Sequence, residues 1–278
     1  MARAGEPTGL LQDAPQRPLL LAGGRVEFVP DGDGRRGWTM LVDGVPSSHV
    51  DLDDPARLDF EYMRWTGDVL DLAFDDAGPV RAVHVGGAGC TLPRYVAATR
   101  PGSRQTVLEV DAAVLEAARD ALGLRSGKLL RLKVSDGRAG LADLPDGSQD
   151  VVVRDAFDGR EVPPHLTTTG FLREVRRVLA PAGVYVANVA DSPRMRHARE
   201  EAATALGVFA HVTLAAEPGQ FHGRRYGNVV LAASARDLPV AALGRRFASG
   251  AVRARLLADG EVRAFASAAR PLEDPPAL

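Results

Sequence analysis

The stretch VRAVHVGGAGCTLPRYVAATRPGSRQTVLEVD, Val80 to Asp111, decides the fold. Val80 to Val85 is a short apolar run suited to a buried strand, and Gly86, Gly87 and Gly89 follow it directly. From about Thr91 to Thr99 the pattern is helical, and Thr106 to Val110 reads as a second strand with Glu109 at its end. Strand, glycine turn, helix and strand together make half of a mononucleotide-binding unit.

Residues without a Cβ let the backbone bend sharply and approach a ligand closely, while the next helix aims its free N–H groups at the same place. A carboxylate about twenty residues further on, here Glu109, can accept both hydroxyls of a ribose. The dinucleotide pattern G-x-G-x-x-G is absent, because Gly86-Gly87-Ala88-Gly89-Cys90 has no third glycine at the required offset. Tight packing alone also produces such a run, but with Glu109 the pattern favours an S-adenosylmethionine-type nucleoside over NAD.

A chain of 278 residues with 45% hydrophobic content can bury a full core, as one large domain or a large and a small one. The formal net charge of −2 provides no basic field for nucleic acid. Its single cysteine, Cys90, excludes an intramolecular disulfide and a cysteine-rich metal site. The N-terminal stretch has no apolar signal-like region, and no apolar run approaches the roughly twenty residues that span a bilayer. The expectation is a soluble cytoplasmic protein with no membrane or nucleic-acid partner and no metal.

Residues 1–17 are rich in Pro, Gly and charge and read as a flexible N-terminus; the final PLEDPPAL reads the same way. Residues 18–54 show short alternating segments broken by Asp31-Gly32-Asp33-Gly34 and Asp43-Gly44, which predicts a small antiparallel β-sheet domain. Pro55 to Phe74 has helical spacing, with Asp53 or Asp54 as N-cap. Across 55–250 strands and helices then alternate, which predicts a parallel sheet with helices on both faces and an antiparallel edge formed by the last two strands. Residues 251–278 form a C-terminal extension. Three strands end in acids, Glu109, Asp136 and Asp155, and so line the carboxyl edge where doubly wound folds bind ligands. Asn188 and Asp191 end a further strand there, as caps or as ligand contacts; His84, inside the first strand, reads as a core histidine.

Read together, LVDGVPSSHVDLDDP, FEYM, GGAGCTLPRYV, LEVD, VSDG, DVVVRDAFDG, GVYVANVADS and RRYGNVVL, in this order between Trp38 and Ser234, resemble the spermidine synthase family. The resemblance implies a small N-terminal β domain followed by a Rossmann-like α/β domain of the class I methyltransferase type. It also implies a nucleoside site at Gly86, Gly87, Gly89, Glu109, Asp136, Gly137 and Asp155. Asp155 matches the acid that activates the attacking amine, and Asp158 a second acid lining the polyamine groove.

The departures bear on substrate. Where the family carries an Asp in its glycine turn, this chain has Gly89; a glutamine of the family appears as Ser47, and its tyrosine-glutamine pair as Phe60-Glu61, with Glu61 left as a substrate contact. An acid at the turn would repel the carboxylate of ordinary S-adenosylmethionine, and Gly89 removes that repulsion. The resemblance as a whole implies aminopropyl transfer from decarboxylated S-adenosylmethionine to a small-molecule polyamine amine; a homodimer is left open as the assembly. Methyl or aminocarboxypropyl transfer from S-adenosylmethionine, and a non-catalytic nucleoside-binding protein, stay open as alternatives.

Overall fold

A computed structural model describes residues 9–12, 17–74 and 77–275. The parts of the expected flexible termini at 1–8, 13–16 and 276–278 lie outside the described residues. β1 (Leu19–Leu21), β2 (Val26–Pro30), β3 (Gly37–Val42) and β4 (Val45–Asp51) form an antiparallel sheet in that order. Asp43 and Gly44, both at positive φ (48° and 78°), close the β3–β4 hairpin as their sequence predicts.

The chain continues through α1 (Glu61–Ala73), β5 (Arg81–Val85), α2 (Thr91–Thr99), β6 (Arg104–Glu109), α3 (Ala112–Leu122), β7 (Leu130–Val134), α4 (Gly137–Ala142) and β8 (Gln149–Arg154). It then forms α5 (Thr169–Val178), β9 (Leu179–Asp191), α6 (Arg196–Leu206), β10 (His211–Ala216), α7 (Pro218–Phe221), β11 (Gly227–Ser234), α8 (Val240–Ser249), β12 (Arg255–Ala258) and α9 (Gly260–Ala266). The described strands β5 to β12 make one sheet, in the order β12-β10-β11-β9-β8-β5-β6-β7. β7, β6, β5, β8 and β9 run parallel; β11, β10 and β12 add an antiparallel edge. This is the Rossmann-like, class I methyltransferase-type arrangement that the alternation of elements predicts.

Both faces of the sheet are apolar, as a parallel sheet covered by helices requires. Val83, Val85 and Val152 face Leu141, Phe171 and Ala202 on one side. Ala82, Val151 and Val153 face Trp65, Val96 and Phe247 on the other. From β5 the chain winds outward to β6 and β7, then crosses back to β8, so the neighbouring β5 and β8 flank a topological switch point. A crevice opens beyond the carboxyl ends of such strands.

The small sheet shares a core with the large one: Phe28, Trp38 and Met40 pack with Val107, Leu115 and Leu122. Arg25 spans the two, bonding Asp43 at 2.9 Å and Asp111 at 3.1 Å. Residues 9–12, expected within a flexible segment, are instead held by α3, the Leu10 and Leu11 amides donating to the carbonyls of Asp120 and Ala121. At the other end Asp274 meets Arg138 at 2.5 Å, so this part of PLEDPPAL is anchored too, and 251–278 contributes β12 to the sheet.

The first large helix is shorter than its sequence pattern. Asp51 accepts the amides of Asp53 and Asp54 at 2.9 and 3.0 Å, and Arg57 ties Asp51 to Asp59. These bonds hold 52–60 in a turn-rich connection, and α1 begins only at Glu61. Neither Asp53 nor Asp54 caps it.

Candidate active site

The glycine turn leaves β5 at Gly86, whose φ of 84° suits a residue without a Cβ. A Cβ there would stand 2.2 Å from the Asp155 carbonyl oxygen, and one on Gly87 would stand 2.3 Å from Val107 Cγ1. The turn is therefore pressed between the ends of β8 and β6. Glu109, buried at the end of β6, accepts the Gly87 and Ala88 amides on Oε2 at 3.0 and 3.2 Å and the Asp111 amide on Oε1 at 3.0 Å. One carboxylate thus ties the turn to the strand that precedes α3.

Gly89 is closed in on the side where a side chain would project. Its amide donates to Ser48 Oγ at 3.0 Å, and a Cβ would meet Ser48 Cβ at 2.9 Å and Val50 Cγ2 at 3.2 Å. Ser47 bonds back to the Val45 carbonyl within its own strand. β4 thereby forms one wall of a small cavity whose lining includes Ser47, Met63, His84, Ala88 and Asp155. His84 bonds Gln105 at 2.9 Å, and burial pushes its pKa down to about 4, so it is a neutral core imidazole.

Asp136 caps α4 through the Ala139 amide and meets His165 Nε2 at 2.6 Å. Burial raises its carboxyl, but the Ala139 amide and His165 outweigh that and hold it below the ordinary value. Gly137 is buried against β5, where a Cβ would stand 2.3 Å from Val85 Cγ1.

Asp155 follows β8 directly. Its amide donates to the Val85 carbonyl at 2.9 Å, which fixes its backbone to β5. Its carboxylate accepts Asn188 Nδ2 on Oδ1 at 2.9 Å and the Tyr62 hydroxyl on Oδ2 at 3.2 Å. Burial raises the Asp155 carboxyl above the usual range, against the lowering effect of Asn188, Tyr62 and Arg154. Burial and the neighbouring Asp155 push the Tyr62 hydroxyl well above its usual value, so it stays a neutral donor. Asn188 Oδ1 is buried without a hydrogen-bond partner.

The other expected residues are placed differently. Glu61 opens α1, half-buried, and the next residue, Tyr62, is the one that reaches Asp155. Asp158 is exposed and paired through its backbone with Glu161. Asp191 turns the other way and caps α6 through the Ala198 amide at 2.8 Å. Tyr62 and Asn188 were legible only as a core aromatic and a strand-end residue; the signal that selects Asn188 is its place at the same sheet edge as Asp155. Among the described residues no cluster of His, Cys, Asp or Glu is arranged to hold a metal ion, and no helix is long and apolar enough to cross a membrane.

No protein-family model matches the chain. Among curated proteins it is 29% identical over 189 residues to a polyamine aminopropyltransferase of Vibrio vulnificus, covering 66% of this chain and 58% of that one. It is 30% identical over 173 residues to a polyamine aminopropyltransferase of Chromobacterium violaceum, covering 62% and 64%. The chain thus spans less than two thirds of the length of these curated relatives. Among solved structures it superposes on a probable spermidine synthase from Corynebacterium glutamicum with a TM-score of 0.86 and 34% identity, over 95% of this chain and 98% of that one. With 34% identity and a shared fold over nearly the whole of both chains, the chain belongs to the spermidine synthase family.

Proposed function

We propose that the protein is an aminopropyltransferase that uses decarboxylated S-adenosylmethionine as donor and a polyamine amine as acceptor. The observation that carries this reading is Asp155: a half-buried carboxylate with a raised pKa, fixed at the switch point beside the glycine turn. A carboxyl group with a raised pKa in a cleft is a better base near neutrality than a solvated one.

In this reading Glu109 and the turn receive the nucleoside ribose, and Asp136 with Gly137 borders the adenine. The neutral acceptor nitrogen attacks the propyl carbon bound to the sulfonium. A C–N bond forms as the C–S bond breaks, the electron pair returns to sulfur to give methylthioadenosine, and Asp155 takes the proton that the nitrogen sheds. Tyr62 and Asn188 hold the carboxylate in place, and proximity supplies much of the remaining acceleration. Asp158, on the exposed strand-like turn, is the candidate partner for a distal ammonium of the acceptor.

A second reading is favoured by Gly89: without an acid in the turn, S-adenosylmethionine itself meets no like charge there, and a methyl or aminocarboxypropyl group could be the cargo. Incubation with each donor and a series of diamines, followed by assay of methylthioadenosine (aminopropyl or aminocarboxypropyl transfer) and of S-adenosylhomocysteine (methyl transfer), tests both. Release from the decarboxylated donor alone supports the first reading; transfer from S-adenosylmethionine alone overturns it.

A further inference from the structure

Arg154 and Asp155 are consecutive, so they point to opposite faces of the sheet. Arg154 is completely buried, on the side of α6. Its guanidinium makes three contacts: Nη2 pairs with Glu201 on α6, Nε meets the Tyr185 hydroxyl at 3.3 Å, and Nη1 donates to the Asn188 backbone carbonyl at 3.0 Å. The β8–β9 ladder ends at Arg154 opposite Ala187, one residue short of Asn188. The Nη1 bond therefore continues the tie between the two strands past the point where their backbones stop pairing.

We propose that Arg154 is a positioning residue: acting through the backbone of Asn188, it holds the Asn188 side-chain amide on the Asp155 carboxylate. The proposal rests on the reading of Asp155 as proton acceptor. A buried ion pair by itself says little about stability, since apolar residues of similar volume pack as well. The contact with the Asn188 carbonyl is what links this pair to the site. The groups that face Asp155 or its cavity are Tyr62 from α1, Asn188 from β9 and the neutral His84 from β5, with Glu61 acting on the Tyr62 hydroxyl through its charge; the guanidinium behind them favours the ionised carboxylate.

The test compares wild type with the double variant Arg154→Met/Glu201→Met, which leaves neither charge buried alone, and with Arg154→Lys. Titration of the Asp155 carboxyl is followed by NMR in protein labelled with carboxyl-¹³C aspartate, the signal being assigned with Asp155→Asn. In the double variant Asp155 should titrate at higher pH, methylthioadenosine should bind as to wild type, and kcat at pH 7 should fall by about one to two orders of magnitude, the scale of a small misplacement. The acid limb of kcat should move up with the carboxyl. Lys, which restores the charge without the planar fork, should return the titration toward wild type and kcat only in part. An unmoved Asp155 titration, or a loss of activity that only parallels a loss of nucleoside affinity, overturns the proposal. The NMR measurement needs no turnover, so a wild-type protein that transfers no aminopropyl group would count against the reading of function and not against the Arg154 link.

Discussion

Tyr62 and Asp155 meet across the cleft at 3.2 Å, the hydroxyl of a residue in the first turn of α1 donating to the carboxylate that follows β8. The bond joins two elements far apart in the chain; it orients the acid and, with Asn188, works against the upward push of burial on its pKa. Tyr62→Phe keeps the packing and removes the donor, which lowers the Asp155 pKa in the wild type. The variant should have a higher Asp155 pKa and a kcat reduced by roughly tenfold, the worth of about one hydrogen bond to a charged group. A pH–rate profile identical to wild type would show that the bond does not bear on turnover.

The Asp155 carboxyl also links stability to pH. Burial raises its folded-state pKa above the unfolded value, so the folded protein holds the proton more tightly. That stabilising contribution is complete below the unfolded pKa and is lost as pH rises through the folded one. Asp155→Asn cannot ionise, so its melting temperature should gain on wild type between acid and neutral pH. A difference that stays constant across this range would contradict the shift. Activity runs in the opposite sense, failing as pH falls and the acid becomes protonated.

Glu109 accepts three backbone amides, two from the glycine turn, in addition to its proposed part at the ribose. Glu109→Gln replaces one accepting oxygen with a donor. Methylthioadenosine affinity should weaken by about 1–3 kcal/mol, and thermal stability should fall with it because buried amides lose their partner. Wild-type affinity measured by calorimetry would remove Glu109 from the nucleoside site.

Gly89 offers a test of donor choice that the packing complicates. Gly89→Asp alone places a Cβ 2.9 Å from Ser48 Cβ, so the substitution should destabilise the protein by about 1–3 kcal/mol. With Ser48→Gly added, the carboxylate gains room, and preference should shift toward the decarboxylated donor. An unchanged ratio of the two donor affinities in the double variant would show that position 89 does not select the donor.

Much of this was legible in the sequence. Val80–Val85, the glycine run and Glu109 specify strand, turn and acid by local rules, and all of them lie together in the fold. The helix start at Glu61 was not legible, because Asp51 and Arg57 capture the preceding segment through contacts between residues several positions apart. Tyr62 has the spacing of a core residue and is one, apart from a single hydroxyl that reaches the site. Asn188 and Asp191 end the same strand, yet the period-two alternation sends one to Asp155 and the other to the α6 cap. Arg154 gives no sign of its role in sequence, since its partners sit on β9 and α6.

The central claim is that Asp155 takes the proton in aminopropyl transfer, and single-turnover release of methylthioadenosine by wild type and Asp155→Asn tests it most directly. With saturating decarboxylated S-adenosylmethionine and diamine at neutral pH, the wild type should turn over and the variant should be slower by about two to four orders of magnitude, the usual worth of a general base. Nucleoside affinity should be equal in the two proteins. An Asp155→Asn protein that releases methylthioadenosine at close to the wild-type rate would contradict the account.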